Sequence, residues 1–216
     1  MGRLDSEQRQ KILEAAIEVF AEHGLKAATI RKVGERAGFN SALIYYYFEN
    51  KDTLFVEAVR FSLNGFLDFL QAHREPFATA RERLAFLVDG LFDFYGTHPL
   101  YMLLISTAVH VHPELMASTL NSLLRERVAL PFEVLMEGIR LKQLRPENPA
   151  ILWWSILGVC LFSFRMKAVF AHLDFTDIPI PAPDWTTHRD KILDFLTQGM
   201  AVPARGKKPA LSRSQQ

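Results

Sequence analysis

Three consecutive tyrosines, Tyr45, Tyr46 and Tyr47, lie in the stretch TIRKVGERAGFNSALIYYYFENK, between Thr29 and Lys51. Phenolic hydroxyls beside the cations Arg31, Lys32 and Lys51 suit a phosphate backbone and base edges. Three adjacent tyrosines on one short helix cannot all be buried, so at least one faces solvent. The stretch divides into two short helices joined by a tight turn. Thr29 is an N-cap residue, with Ile30, Val33 and Ala37 following on one face. Gly38 stands where a left-handed residue closes the first helix. Asn40 caps the second helix, in which Ile44 and Phe48 are one turn apart and point inward. Ser41, Ala42, Leu43 and the tyrosines take the remaining faces. The spacing predicts a helix-turn-helix whose second helix fits a major groove. Asn50 caps a further helix, and the charge of Lys51 opposes the dipole at that end. A phosphate bound there explains a lysine at this position.

Other chemistry is less well supplied. His110, His112 and Glu114 invite a metal, but i, i+2 spacing does not place ligands on one helix face, and no cysteine cluster assists. No metal and no cofactor are expected. The single cysteine, Cys160, is embedded in apolar residues and reads as an inert thiol. No phosphate-cradling glycine loop and no nucleophile elbow appear, so no enzyme is expected. The 216 residues carry a formal net charge of +1, so nucleic-acid binding must come from a local patch. One cysteine permits no disulfide within a chain, which suits a reducing cytoplasm. The polar start MGRLDSEQRQ shows no signal peptide.

The elements that position these residues are helical throughout. Ser6–His23 carries Ile12, Ala16, Val19 and Phe20 at helical spacing and ends at Gly24. It should pack on the two short helices as a three-helix unit. A helix from Asn50 to about Ala72 connects that unit to the rest. Helices follow over Thr79–Thr97, from His98–Pro99 to about His110, and from Glu114 to about Lys142, the last split or kinked by Pro131. The run AILWWSILGVCLFSFRMKAVFAHL is the most apolar; its uncharged core, Ile151 to Phe164, is about 14 residues or roughly 21 Å, short for a bilayer span. Such a helix needs cover on every side, its own chain on one and a second copy on the other. Ser155 and Gly158 permit close approach. Asp184–Met200, with Trp185, Ile192, Phe195 and Leu196, would complete a four-helix interface between two copies. The expected division is residues 1–50 as a DNA-binding head, 51–202 as a helical dimerisation domain, and 203–216 as a disordered tail.

Several features agree with a known family. QRQKILEAAIEVFAEHG, TIRKVGERAGFNSALIYYYF and NKDTLFVEAV follow one another in the order and spacing of the TetR (tetracycline-repressor) DNA-binding domain, which the first quarter of the chain resembles. Ala42 and Leu43 depart from the commonest pattern; Leu43 can touch a thymine methyl but cannot hydrogen-bond a base. The resemblance implies an all-α homodimeric regulator that binds double-stranded operator DNA and answers to a small-molecule effector. By position it makes Thr29, Arg31, Lys32, Tyr47 and Lys51 phosphate-positioning residues. It sets Ser41, Ala42, Leu43, Tyr45 and Tyr46 against bases or sugars, with Asn40 at the start of their helix. It implies an effector pocket in the middle helices, for which Tyr95, Tyr101, Met102, Ile105, His110, Trp154, Phe162, Arg165, Met166 and Phe170 are candidates. Two other readings remain: a ligand-independent regulator or activator, and a helical enzyme or lipid-handling protein that keeps the head as a relic.

Overall fold

A computed structural model describes residues 3–126, 130–176 and 181–203, and these form ten helices. Among the described residues there is no strand, only an isolated bridge between Leu144 and Ala201. The chain divides into two compact units, Met1–Arg74 with Asp89–Leu130, and Glu75–Val88 with Pro131–Gln216.

The first unit is built on α1 (Arg3–Ala27), against which α2 (Ile30–Ala37), α4 (Lys51–Ala72) and α6 (Pro99–Val111) pack. The apolar stripe of α1 is the reason. Ile12, Ala16, Ile17 and Phe20 lose all their exposed surface, and Phe20 meets Phe55 of α4 edge-on at 5.1 Å. Gly24 breaks the helix at φ 68°, as its position after His23 predicts, and one further turn runs on to Ala27. Between α2 and α3 (Ser41–Tyr47), Gly38 takes a left-handed conformation, φ 74°, that other residues adopt with strain. α7 (Pro113–Glu126) completes the unit against α4 and α6.

Gly34 has a different task. A Cβ there would stand 2.6 Å from the Phe39 carbonyl oxygen, in the backbone of the turn between α2 and α3. Backbone cannot swing aside as a side chain can, so Gly34→Ala is expected to lower stability by about 1–3 kcal/mol. Urea unfolding monitored by circular dichroism reads this. A variant as stable as wild type would show that the turn relaxes freely.

The second unit contains the first half of α5 (Ala80–Thr97), α8 (Leu130–Arg140), α9 (Pro149–Phe170) and α10 (His188–Met200). Pro131 lies in the first turn of α8, where a missing N–H leaves no bond unmade, so the expected long helix becomes two; residues 127–129 between them lie outside the described set. Arg83 is buried to 2% exposure. Its guanidinium donates to Glu137 Oε2 at 2.8 Å and Gln143 Oε1 at 2.6 Å, and it lies over the Phe77 ring. Charge pairing and hydrogen bonds together make that burial tolerable.

α9 is longer than its uncharged core. It runs 22 residues, past Arg165 and Lys167, and by length and composition alone it could cross a membrane. Leu152, Trp153, Ile156 and Cys160 are buried in the unit, while Ile151, Trp154, Phe162 and Val169 remain about half exposed or more along the other side. Two expectations for the last helix need correction. Trp185 precedes α10, because the Asp184 carboxylate accepts from Thr186 N–H and Thr187 Oγ1 and holds a turn there. Ile192 and Leu196 face the chain's own core, at 5% and 2% exposure, and Phe195 alone of the three points out, at 69%. The expected tail falls outside the described residues from 204 onward.

Candidate DNA-binding surface

Two caps shape the helix-turn-helix. Thr29 Oγ1 accepts from the Lys32 N–H at 3.2 Å and starts α2. Asn40 Oδ1 accepts from the Leu43 N–H at 2.9 Å and starts α3. Each satisfies an amide that the first turn of a helix leaves open. Ile44 and Phe48 then anchor α3, at 0% and 2% exposure. With about 100° between successive helical residues, Tyr45 and Tyr46 must turn away from the anchored side. They are 55% and 75% exposed, and Ala42 is exposed with them. Ser41 and Leu43 are partly covered.

Tyr47 comes back toward the inner side and is half-buried. Its hydroxyl lies 3.1 Å from Asp5 Oδ1 and 3.0 Å from Gln8 Oε1. Desolvation, followed by the hydrogen bond to Asp5, pushes its phenol above the ordinary value. Lys51 is also partly covered, and its ammonium donates to the carbonyls of Leu25, at 2.8 Å, and Ala28, at 3.3 Å. Lys32 Nζ reaches the Ala27 carbonyl at 3.3 Å, and Arg31, 82% exposed, lies 3.5 Å from Glu35. Thr29 is exposed. Sequence reasoning missed Arg36, which joins α2 to α1 through Glu18 and Glu22. Its hydrogen bond holds the Glu22 carboxyl below the ordinary value. No local signal marks that pairing, since the partners are 14 and 18 residues away.

Comparison with known proteins decides the family. Residues 12–58 match the model for bacterial regulatory proteins of the tetR family. The chain carries a tetR-family DNA-binding domain over those residues. It is a DNA-binding transcriptional regulator. The match runs from within α1 to the first part of α4. Along more of its length the chain is similar to the HTH-type transcriptional repressor NicS of Pseudomonas putida, 27% identical over 200 residues, covering 89% of this chain and 92% of that one. It is also similar to the fatty acid metabolism regulator protein of Bacillus subtilis, 28% identical over 137 residues, 60% of this chain and 67% of that one. Among solved structures, a TetR family regulator from Marinobacter aquaeolei superposes with a TM-score of 0.69 at 18% identity, covering 94% of this chain and all of that one. The FadR regulator of Bacillus subtilis in complex with stearoyl-CoA superposes with a TM-score of 0.66 at 20% identity, covering 88% and 98%. At those identities the likeness speaks for the fold.

The candidate effector residues fall half in each unit. In the first, Tyr95 and Ile105 are buried, Tyr101 and Met102 are half-buried, and His110 is exposed. Tyr95 stacks on Phe66 at 5.4 Å, and Phe94 joins Phe66 to Tyr101. Burial pushes the Tyr95 phenol well up. In the second unit, Trp154, Phe162 and Arg165 lie on the exposed side of α9, whereas Met166 and Phe170 are half-buried. Phe170 packs between Phe175 and Trp185. A cleft of about 650 Å³ on α7 is lined by Glu114, Ser118, Asn121, Ser122 and Arg125, with none of the ten among its walls. His112 packs edge-on against Phe55. Among the described residues no three His, Cys, Asp or Glu side chains gather as for a metal.

Proposed function

We propose that the protein works as a homodimer in the cytoplasm, bound to a near-palindromic operator as a repressor until a small molecule releases it. It acts by binding and not by catalysis. The observation that carries this reading is the posture of α3: Ile44 and Phe48 fasten one side of the helix while Tyr45, Tyr46 and Ala42 stand free on the other. Within the head of residues 1–50, Ser41, Ala42, Leu43, Tyr45 and Tyr46 meet bases or sugars, and Thr29, Arg31, Lys32 and Tyr47 meet phosphates, joined by Lys51 at the start of α4. Two such heads engage major-groove faces about 34 Å apart.

The exposed side of α9, with Ser155 and Gly158 among its small residues and Phe195 of α10, packs on the same surface of a second copy. A bilayer is the less fitting cover, because Arg165 and Lys167 interrupt the apolar sequence within the helix. The effector lodges among the helices beyond the head. A relative named for fatty acid metabolism and a similar fold holding stearoyl-CoA make a long-chain acyl-CoA the first compound to test.

The test begins with selection of genomic fragments by purified protein. Operator affinity is then measured with and without stearoyl-CoA. Release is expected, and operator DNA should weaken acyl-CoA binding by the same factor. Acyl-CoA binding that leaves operator affinity unchanged would end the acyl-CoA switch.

A further inference from the structure

We propose that α7 carries a second self-association surface, on which the α7 of another copy lies antiparallel about a two-fold axis. This contact goes beyond the α9 interface, because it joins copies that α9 does not. The cleft of about 650 Å³ on α7 is the site, lined by Glu114, Ala117, Ser118, Asn121, Ser122 and Arg125. Those positions recur every three or four residues and so form one stripe of the helix. All but Ser122 are exposed, and Leu124, 43% exposed, borders the stripe. Ser122 Oγ accepts from Arg60 of α4, which fixes one edge of the cleft. Met116, Thr119 and Leu123 on the opposite side of α7 are buried, and the helix packs on α4 and α6.

The stripe is complementary to itself. Its residues are disposed symmetrically about the point between Thr119 and Leu120. An antiparallel copy therefore sets Glu114 opposite Arg125, Ala117 opposite Ser122, and Ser118 opposite Asn121. Each pairing occurs twice, as a two-fold contact requires. A parallel copy would instead set Glu114 on Glu114 and Arg125 on Arg125, and like charges repel. Within one helix Glu114 and Arg125 stand about 16 Å apart, too far to pair with each other. Among the described residues neither has an ion-pair partner, and the side chains of Ser118 and Asn121 have no hydrogen-bond partner. Both charges suit the dipole of their own helix. The dipole does not require them to share a stripe with two unpartnered hydrogen-bonding side chains, and an antiparallel mate does. Ala117 and Ser118 let the two axes approach to about 8 Å. One helix of 14 residues offers a small surface, so this contact is weaker than the α9 interface and forms at higher concentration. α7 lies in the unit that holds the head, so the contact links head-bearing units of separate dimers.

Charge exchange tests the contact, by sedimentation equilibrium of the full-length chain over a concentration series at low salt. Wild type should pass from dimer toward tetramer mass as concentration rises, and added salt should oppose the rise. Arg125→Glu sets acids against each other at both ends of the contact. It should weaken the tetramer by about tenfold and leave the dimer intact, since two attractive pairs become repulsive. Glu114→Arg with Arg125→Glu restores both pairs in the reverse sense and should recover the association. The recovery distinguishes a contact from a change in helix stability, because the double exchange opposes the dipole at both ends of α7. Wild type that stays at dimer mass, an Arg125→Glu variant that associates like wild type, or a folded double exchange without recovery would overturn the inference. Should the double exchange not fold, Ser118→Arg carries the test: this exposed change blocks close approach and should abolish the tetramer, and an unaltered tetramer refutes the contact. A dimer that survives Trp154→Glu with Phe162→Glu and breaks with Arg125→Glu would sink the α9 reading and leave this one standing.

Discussion

Tyr45→Ala combined with Tyr46→Ala is expected to lower operator affinity by about 100-fold or more and to leave the fold intact. Both rings are largely in solvent, at 55% and 75% exposure, so their removal opens no cavity in the core. Surface changes of this kind shift stability by about 0.5 kcal/mol or less. Contacts to bases are each worth about 1–3 kcal/mol, and each factor of ten in affinity needs about 1.4 kcal/mol. Two lost contacts in each of two heads therefore exceed two decades. A filter-binding or fluorescence-anisotropy titration with operator and scrambled duplexes measures the loss. The fall should be confined largely to the operator, because non-specific binding draws on phosphates that Arg31 and Lys32 still reach. Equal weakening on both duplexes would show that the tyrosines hold backbone and read no sequence. An unchanged titration would remove α3 from the interface altogether.

Trp154→Glu together with Phe162→Glu should convert the protein to a monomer. These rings, 51% and 62% exposed, are the largest uncovered apolar side chains of α9. Burying an aromatic side chain is worth about 1.5–3 kcal/mol, and a two-fold interface doubles each contribution. Four rings replaced by four carboxylates facing one another leave no net attraction. Sedimentation equilibrium at micromolar concentration gives the mass directly. Operator affinity should fall in parallel by about 10²–10⁴, because the second head no longer benefits from the first. A variant that remains dimeric would place the two-fold interface elsewhere. Wild-type protein that co-sediments with lipid vesicles would favour a bilayer as the cover of α9.

Decisions made within one helical turn could be read from residue order. Thr29, Asn40 and Asn50 accept from amides three residues ahead, Gly38 closes α2, and Pro131 begins a helix instead of bending one. Each depends on a single residue and its immediate neighbours, so the all-helical organisation and the helix-turn-helix were legible. Tertiary packing chose the partners. Tyr47 was one of three adjacent tyrosines until Asp5, 42 positions earlier, drew it inward. Lys51 gave no sign that carbonyls more than 20 residues back would accept from its ammonium. Arg83 gave no sign of burial, because its acceptors Glu137 and Gln143 lie 54 and 60 residues away. In α10, periodicity identified an apolar set but not the direction it faced. Packing on α9 turned Ile192 and Leu196 inward and left Phe195 outside. Local backbone energetics discriminate between conformations from adjacent residues alone, whereas the partner of a long side chain depends on which distant atoms the finished fold brings within reach.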